Sequence, residues 1–307
     1  MEKSSWKPIE DYLNQLDELQ PLPTQVRESW KPEANLRACI FDIYGTLLIS
    51  ASGDIDQAEF STGFLEKALK KGHIDINAKS IHTRDEILQH LLKDFRRFIE
   101  QEHARLTGNG YPHPEVVITR IWQKTLKRHH QAGNIAITKH SNIKVLALFF
   151  ELMANKIYPM PGMQTTLEHL REKGVHLGIV SNAQFYTPMI MNFFLGKPLT
   201  ETDQIRHFEP ALSIFSYQTG RAKPDTALFE LLKERLHTNH GISPAETLYV
   251  GNDMYKDIWP ASQVGFKTAL FAGDRRSLRL RETYKELRNL RPGFIIKDLT
   301  SLAKMIE

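Results

Sequence analysis

Six short apolar runs constrain this chain more than any other feature: LRACIFD (36–42), VHLGIVSN (175–182), LSIFSY (212–217), TLYVGND (247–253), TALFAG (268–273) and FIIKD (294–298). Nearly continuous apolar segments of this length are strands buried on both faces. Amphipathic stretches lie between several of them. In MQTTLEHLREKG (163–174) Leu167 and Leu170 share a face and Gly174 ends the helix, and DTALFELLKERLH (225–237) has the same character. Strands alternating with helices predict an α/β fold, a Rossmann-like, doubly wound parallel sheet. Ligands of such sheets sit beyond the carboxyl ends of the strands. Asp42, Ser181 and Asp253 each fall at a strand end, so a shared site is expected there.

More than a hundred residues separate the first run from the second, and they carry helical patterns instead: AEFSTGFLEKALKKG, TRDEILQHLLKDFRRFIEQEHARL, PEVVITRIWQKTLKRHH and NIKVLALFFELMAN. An insert of that size is a domain in its own right. Its entry, SASGD, and exit, KIYPMPGM, are rich in small residues or proline and suit a pair of hinges. The expected organisation is an N-terminal extension over 1–35, an α/β core over 36–49 and 159–307, and an all-α helical cap over 50–158, acting as a lid. The extension carries Pro8, Pro21, Pro23 and Pro32 around one short helical pattern.

Composition narrows the function classes. A hydrophobic share of 41% and a charged share of 25% are those of an ordinary soluble domain. The net charge of +4 comes from scattered Lys and Arg with no basic block, which favours small anionic ligands and argues against nucleic acid. The one cysteine, Cys39, lies inside the first apolar run and supports neither a disulfide nor a cysteine zinc site. The start of the chain is polar, and no apolar stretch approaches the roughly 18 residues of a membrane span. A cytoplasmic enzyme without a membrane partner is expected. The histidines, including His129 and His130, show no metal-ligand spacing.

Four motifs fall in order along the chain: FDIYGTLL (41–48), IVSN (179–182), AKPD (222–225) and VGNDMYKD (250–257). Each alone has a plain structural explanation, as a turn, a helix cap or an acidic helix start. Together, with a helical insert after the first, they resemble the haloacid dehalogenase superfamily of hydrolases. The resemblance implies that Asp42 is a nucleophile forming a covalent ester or acyl phosphate. It implies that Gly45 and Thr46 form the turn that aims amides and a hydroxyl at the reacting group. Ser181 and Asn182 would bind the transferred phosphoryl group, and Lys223 would neutralise charge between it and the nucleophile. Asp42, Asp253, Asp257 and the carbonyl of Tyr44 would hold Mg²⁺, a hard ion that prefers oxygen.

Tyr44 stands where the family's phosphatases place a second aspartate, the general acid and base. Such help typically contributes about 10²–10⁴-fold, and a phenol with a pKa of about 10 is a poor base at neutral pH. The D-x-Y-G-T form resembles the L-2-haloacid dehalogenases, whose halide leaving group needs no proton. Three departures oppose that reading: the acidic pair Asp253 and Asp257 is kept, no arginine lies between Asp42 and Arg84, and Phe229 stands where those enzymes have a tyrosine. The leading expectation is a Mg²⁺-dependent phosphatase of a small phosphorylated metabolite, working through an aspartyl-phosphate. The alternatives are a 2-haloacid dehalogenase-like hydrolase and a catalytically weak binding or scaffolding protein.

Overall fold

The computed structural model describes residues 6–33, 35–52, 61–77 and 80–306. The chain divides into two compact units, Met1–Asp17 with Asp56–Lys156, and Glu18–Ile55 with Ile157–Glu307.

The second unit is built on a six-stranded, all-parallel sheet. Its strands are β1 (Ala38–Phe41), β2 (His176–Ser181), β3 (Ser213–Phe215), β4 (Thr247–Gly251), β5 (Lys267–Phe271) and β6 (Phe294–Ile296). They lie in the order β6-β5-β4-β1-β2-β3. All six apolar runs therefore form the strands expected of them, and β1 occupies the interior of the sheet. One face presents Ile40, Val180, Ile214 and Tyr249, which join Leu228, Phe229, Leu232 and Leu236 in one core cluster. Those four side chains belong to the helix Ala227–His240. Burying them contributes about 6–12 kcal/mol. Cys39, Phe41 and Ile179 are equally buried, so both faces are covered, as the continuous apolar runs require. Burial also pushes the Cys39 thiol far above its ordinary pKa. A short ribbon, Leu48–Ser50 against Ile157–Pro159, is antiparallel. Residues 18–33 run along this unit: Ser29 bridges Ile295, Thr24 Oγ1 donates to the Ala272 carbonyl at 2.6 Å, and Glu33 pairs with Lys267 at 2.8 Å.

The first unit is helical: α1 (Lys7–Leu13), α2 (Thr62–Lys71), α3 (Arg84–Gly108), α4 (Ile118–Gln131) and α5 (Ile143–Ala154). Local chemistry sets the helix starts. Ser61 Oγ accepts from the Phe64 amide, and Thr83 with Glu86 forms a capping box. The core centres on Trp122, stacked on Phe95 at 4.2 Å with Phe150 edge-on to both. Tyr12 of α1 meets Phe149 at 5.0 Å and its hydroxyl donates to the Leu152 carbonyl. His129 is buried, its Nε2 3.2 Å from Asp94 Oδ2 and its Nδ1 3.2 Å from Asn134 Nδ2. Burial pulls its pKa down, with Asp94 opposing. That is a packed structural histidine. No helix among the described residues is long and apolar enough to cross a membrane.

Candidate active site

Asp42 follows β1 directly. Its amide donates to the Val250 carbonyl of β4 at 2.9 Å, which extends the ladder by one residue and fixes where the carboxylate emerges. The side chain is almost wholly buried. Its Oδ1 accepts from Ser181 Oγ at 2.8 Å and from Lys223 Nζ at 2.7 Å. Ser181 is the last residue of β2, the parallel neighbour of β1, so one sheet edge delivers both groups.

Lys223 is buried and also meets Asp257 Oδ1 at 2.6 Å. Burial works to lower its pKa, but the carboxylates of Asp257 and Asp42 outweigh it and hold the ammonium above its ordinary value. Its backbone is fixed reciprocally by Asn182: the Lys223 amide donates to Asn182 Oδ1 at 2.7 Å, and Asn182 Nδ2 donates to the Lys223 carbonyl at 3.3 Å. Asn182 thus positions the lysine, where the sequence assigns it to the phosphoryl group.

Asp257 is fully enclosed. Its Oδ2 accepts from the Asp253 amide at 2.9 Å, and its Oδ1 lies 3.1 Å from the Tyr249 hydroxyl. Burial lifts its pKa to about 7 against the opposing pull of Lys223, and Asp42 and Asp253 add to the rise. Gly251 makes room for this carboxylate. A Cβ there would stand 2.4 Å from Asp257 Cγ, so the glycine of VGND is required by the residue that closes the motif.

Asn252 and Asp253 divide the work at the head of motif four. Asn252 Oδ1 accepts from Thr46 Oγ1 at 3.1 Å and its Nδ2 donates to the Ser277 carbonyl at 2.7 Å. Asp253 caps the wide, π-helical turn Met254–Ile258: its Oδ1 accepts from the amides of Tyr255 and Lys256. Its Oδ2 pairs with Arg281 at 2.7 Å. Among the described residues Asp42, Asp253 and Asp257 do not bring their ligand atoms within 4.8 Å of one another.

The turn after Asp42 is held by its own amides. Gly45 N donates to the Leu48 carbonyl at 2.7 Å and Thr46 N to the Ile43 carbonyl at 3.2 Å. With the Thr46 hydroxyl spent on Asn252, these groups brace the turn in this structure. Gly45 has φ +86°, and a Cβ there would lie 2.6 Å from Ser277 Cβ. Tyr44 is half-buried, with its hydroxyl 2.9 Å from Thr187 Oγ1.

Four contributors escape sequence reasoning. Tyr249 donates to the Val180 carbonyl at 2.9 Å and flanks Asp257. Its signal was present, since a tyrosine inside a buried strand needs a partner for its hydroxyl. Thr187, Ser277 and Arg281 come from segments with no motif of their own.

Residues 36–265 match the family model described as haloacid dehalogenase-like hydrolase. A ribulose-1,5-bisphosphate 5-phosphatase from Halopiger xanaduensis is 32% identical over 112 residues, 36% of this chain and 41% of that protein. A glyceraldehyde 3-phosphate phosphatase from Pyrococcus furiosus is 26% identical over 154 residues, 48% of this chain and 54% of that protein. The chain thus spans about half the length of these relatives or less. Among solved structures, a 2-haloacid dehalogenase from Pseudomonas syringae pv. Tomato superposes with a TM-score of 0.54 at 20% identity, over 88% of this chain and 97% of that one. A phosphatase from Thermococcus onnurineus has a TM-score of 0.45 at 19% identity, over 88% and 97%. The likeness to the dehalogenase speaks for the fold, and the family model covers most of the sequence. This chain belongs to the haloacid dehalogenase-like hydrolases.

Proposed function

We propose that this hydrolase is a phosphatase that transfers the phosphoryl group of a small phosphorylated metabolite to Asp42 and then to water. One observation carries the reading. The Ser181 hydroxyl and the Lys223 ammonium converge on a single oxygen of Asp42, and among the described residues no hydrogen bond engages the other. A carboxylate held this way keeps one oxygen for in-line attack and has a hydroxyl and a cation beside the phosphoryl oxygens. Positioning and charge stabilisation are most of what phosphoryl transfer requires. The two relatives named as phosphatases support the same reaction class.

In the first half-reaction the free oxygen of Asp42 attacks phosphorus, the phosphorus–oxygen bond to the leaving group breaks, and the departing oxygen takes a proton from solvent water. Water then attacks the aspartyl-phosphate, releasing phosphate and restoring the carboxylate. No carboxylic acid stands at position 44 to supply the proton, so esters with acidic leaving groups are the favoured substrates. The Tyr44 phenol, braced by Thr187, orients the leaving oxygen.

The donors near Asp42 are oxygens, the set a hard divalent cation takes. Asp42, the Tyr44 carbonyl and Asp253 would hold Mg²⁺, with Asp257 committed to Lys223. Asp253 Oδ2 already faces a cation in Arg281, and that is the partner a metal would replace. Bound there, Mg²⁺ supplies charge neutralisation for the transferring phosphoryl group.

Purified protein should hydrolyse an activated aryl phosphate, lose that activity with chelator, and lose it in Asp42→Asn. Metal-independent halide release from 2-chloropropionate, without phosphatase activity, would replace this reading with dehalogenation. Neither activity, in a protein that binds a stable partner, would point to a scaffold.

A further inference from the structure

A second cluster of ligand-type side chains lies at the opposite end of the same sheet. His176 opens β2, five residues before Ser181, which places it about 16 Å along the strand from the Asp42 edge. Glu209 precedes the turn Pro210–Leu212 that leads into β3, and His240 is the last residue of the helix Ala227–His240. Intervals of 33 and 31 residues are far outside any local metal-binding spacing. That is why the sequence showed none.

The three side chains share one small volume. Glu209 bridges one nitrogen of each ring, Oε1 2.6 Å from His176 Nδ1 and Oε2 2.9 Å from His240 Nε2. The imidazole centroids are 4.0 Å apart with planes inclined at 42°. One ligand atom from each residue lies within 4.8 Å of the others. The backbone beneath is fixed from outside the cluster. The Glu209 amide donates to the Leu177 carbonyl at 2.9 Å. Arg37 donates to the carbonyls of His240 and Gly241, each at 3.2 Å.

Hydrogen bonding alone leaves this arrangement incomplete. His240 Nε2 is buried, and among the described residues it has no aligned hydrogen-bond partner despite its short approach to Glu209. A divalent metal would give that nitrogen a partner, because it takes imidazole nitrogens and a carboxylate oxygen together.

We infer that His176, Glu209 and His240 form a binding site for a divalent transition metal, zinc foremost, separate from the Asp42 site. Two imidazoles and one carboxylate suit zinc and leave a fourth, water-accessible position. Zinc bonds of about 2.0–2.1 Å put tetrahedral ligands roughly 3.4 Å apart. Side chains with 20–36% of their surface exposed can rotate by the small amount needed. The bound metal would clamp the start of β2, the approach to β3 and the end of the long helix. It does not depend on the chemistry at Asp42.

The full chain, stripped by chelator and then saturated with Mg²⁺, should bind one Zn²⁺ by calorimetry and melt at a higher temperature. In His240→Gln and Glu209→Gln that binding should weaken at least tenfold and the shift vanish, with aryl-phosphate hydrolysis within twofold of the unmodified protein. A measurement without variants runs beside it. Zn²⁺ should protect His176 and His240 from acylation by diethyl pyrocarbonate and leave the exposed His237 reactive. Failure of the unmodified chain to bind Zn²⁺, equal binding in both variants, or equal acylation of all three histidines with and without Zn²⁺ would each overturn the site.

Discussion

Replacing Lys223 with methionine tests the pairing at the centre of the site. The substitution keeps the chain length and removes the one ammonium that touches both Asp42, at 2.7 Å, and Asp257, at 2.6 Å. Two almost fully buried carboxylates are then left facing each other without a cation. The fold must hold a proton on one of them. Breaking a buried ion pair by deleting one partner costs about 3–5 kcal/mol. Because the folded variant takes up a proton that the unfolded chain releases, its stability falls as pH rises. Asp257 of the unmodified protein, lifted to about 7, holds a proton in the same way below that pH, so the destabilisation should stay near its pH 7 value down to pH 5.5 and grow above pH 7. Urea unfolding followed by fluorescence and circular dichroism at several pH values reads this directly. Loss of the cation should also lower kcat for an aryl phosphate by about 10²–10³-fold. A penalty below about 1 kcal/mol at pH 7, or one that shrinks above pH 7, would refute the assignment of Lys223 as the charge balance of the pocket.

Gly45→Ala should destabilise the protein by about 2–4 kcal/mol, combining a left-handed backbone with a collision against Ser277; thermal and urea unfolding check it. Tyr44→Asp should raise turnover of unactivated alkyl phosphates by about 10²-fold or more while changing aryl phosphates little, because only the former need a proton donor; paired kinetics on the two esters decide. Arg281→Ala frees Asp253 Oδ2 and should lower the Mg²⁺ concentration for half-maximal activity, whereas a higher requirement would show that Arg281 supports the metal ligand.

The sequence by itself determined the sheet and the main actors. Strands buried on both faces must be continuously apolar, so all six were legible as runs. Their ends had to carry Asp42, Ser181 and the acidic motif, because a parallel sheet gathers the carboxyl ends of its strands on one side. The tertiary structure alone decided how those groups are spent. Nothing local in VGNDMYKD tells that Asn252 braces the first turn, that Asp253 caps a wide helical turn against Arg281, or that Asp257 is walled in beside Lys223 and lifted to about 7. Asn182 reads as a phosphate contact in sequence, and in space both ends of its side-chain amide bond the backbone of Lys223. The pairing of Tyr44 with Thr187 and the meeting of His176, Glu209 and His240 span 31 to 143 residues. Periodicity and motif spacing report only neighbours within a few turns or one strand. Contacts closed by the packing of distant segments leave no such trace.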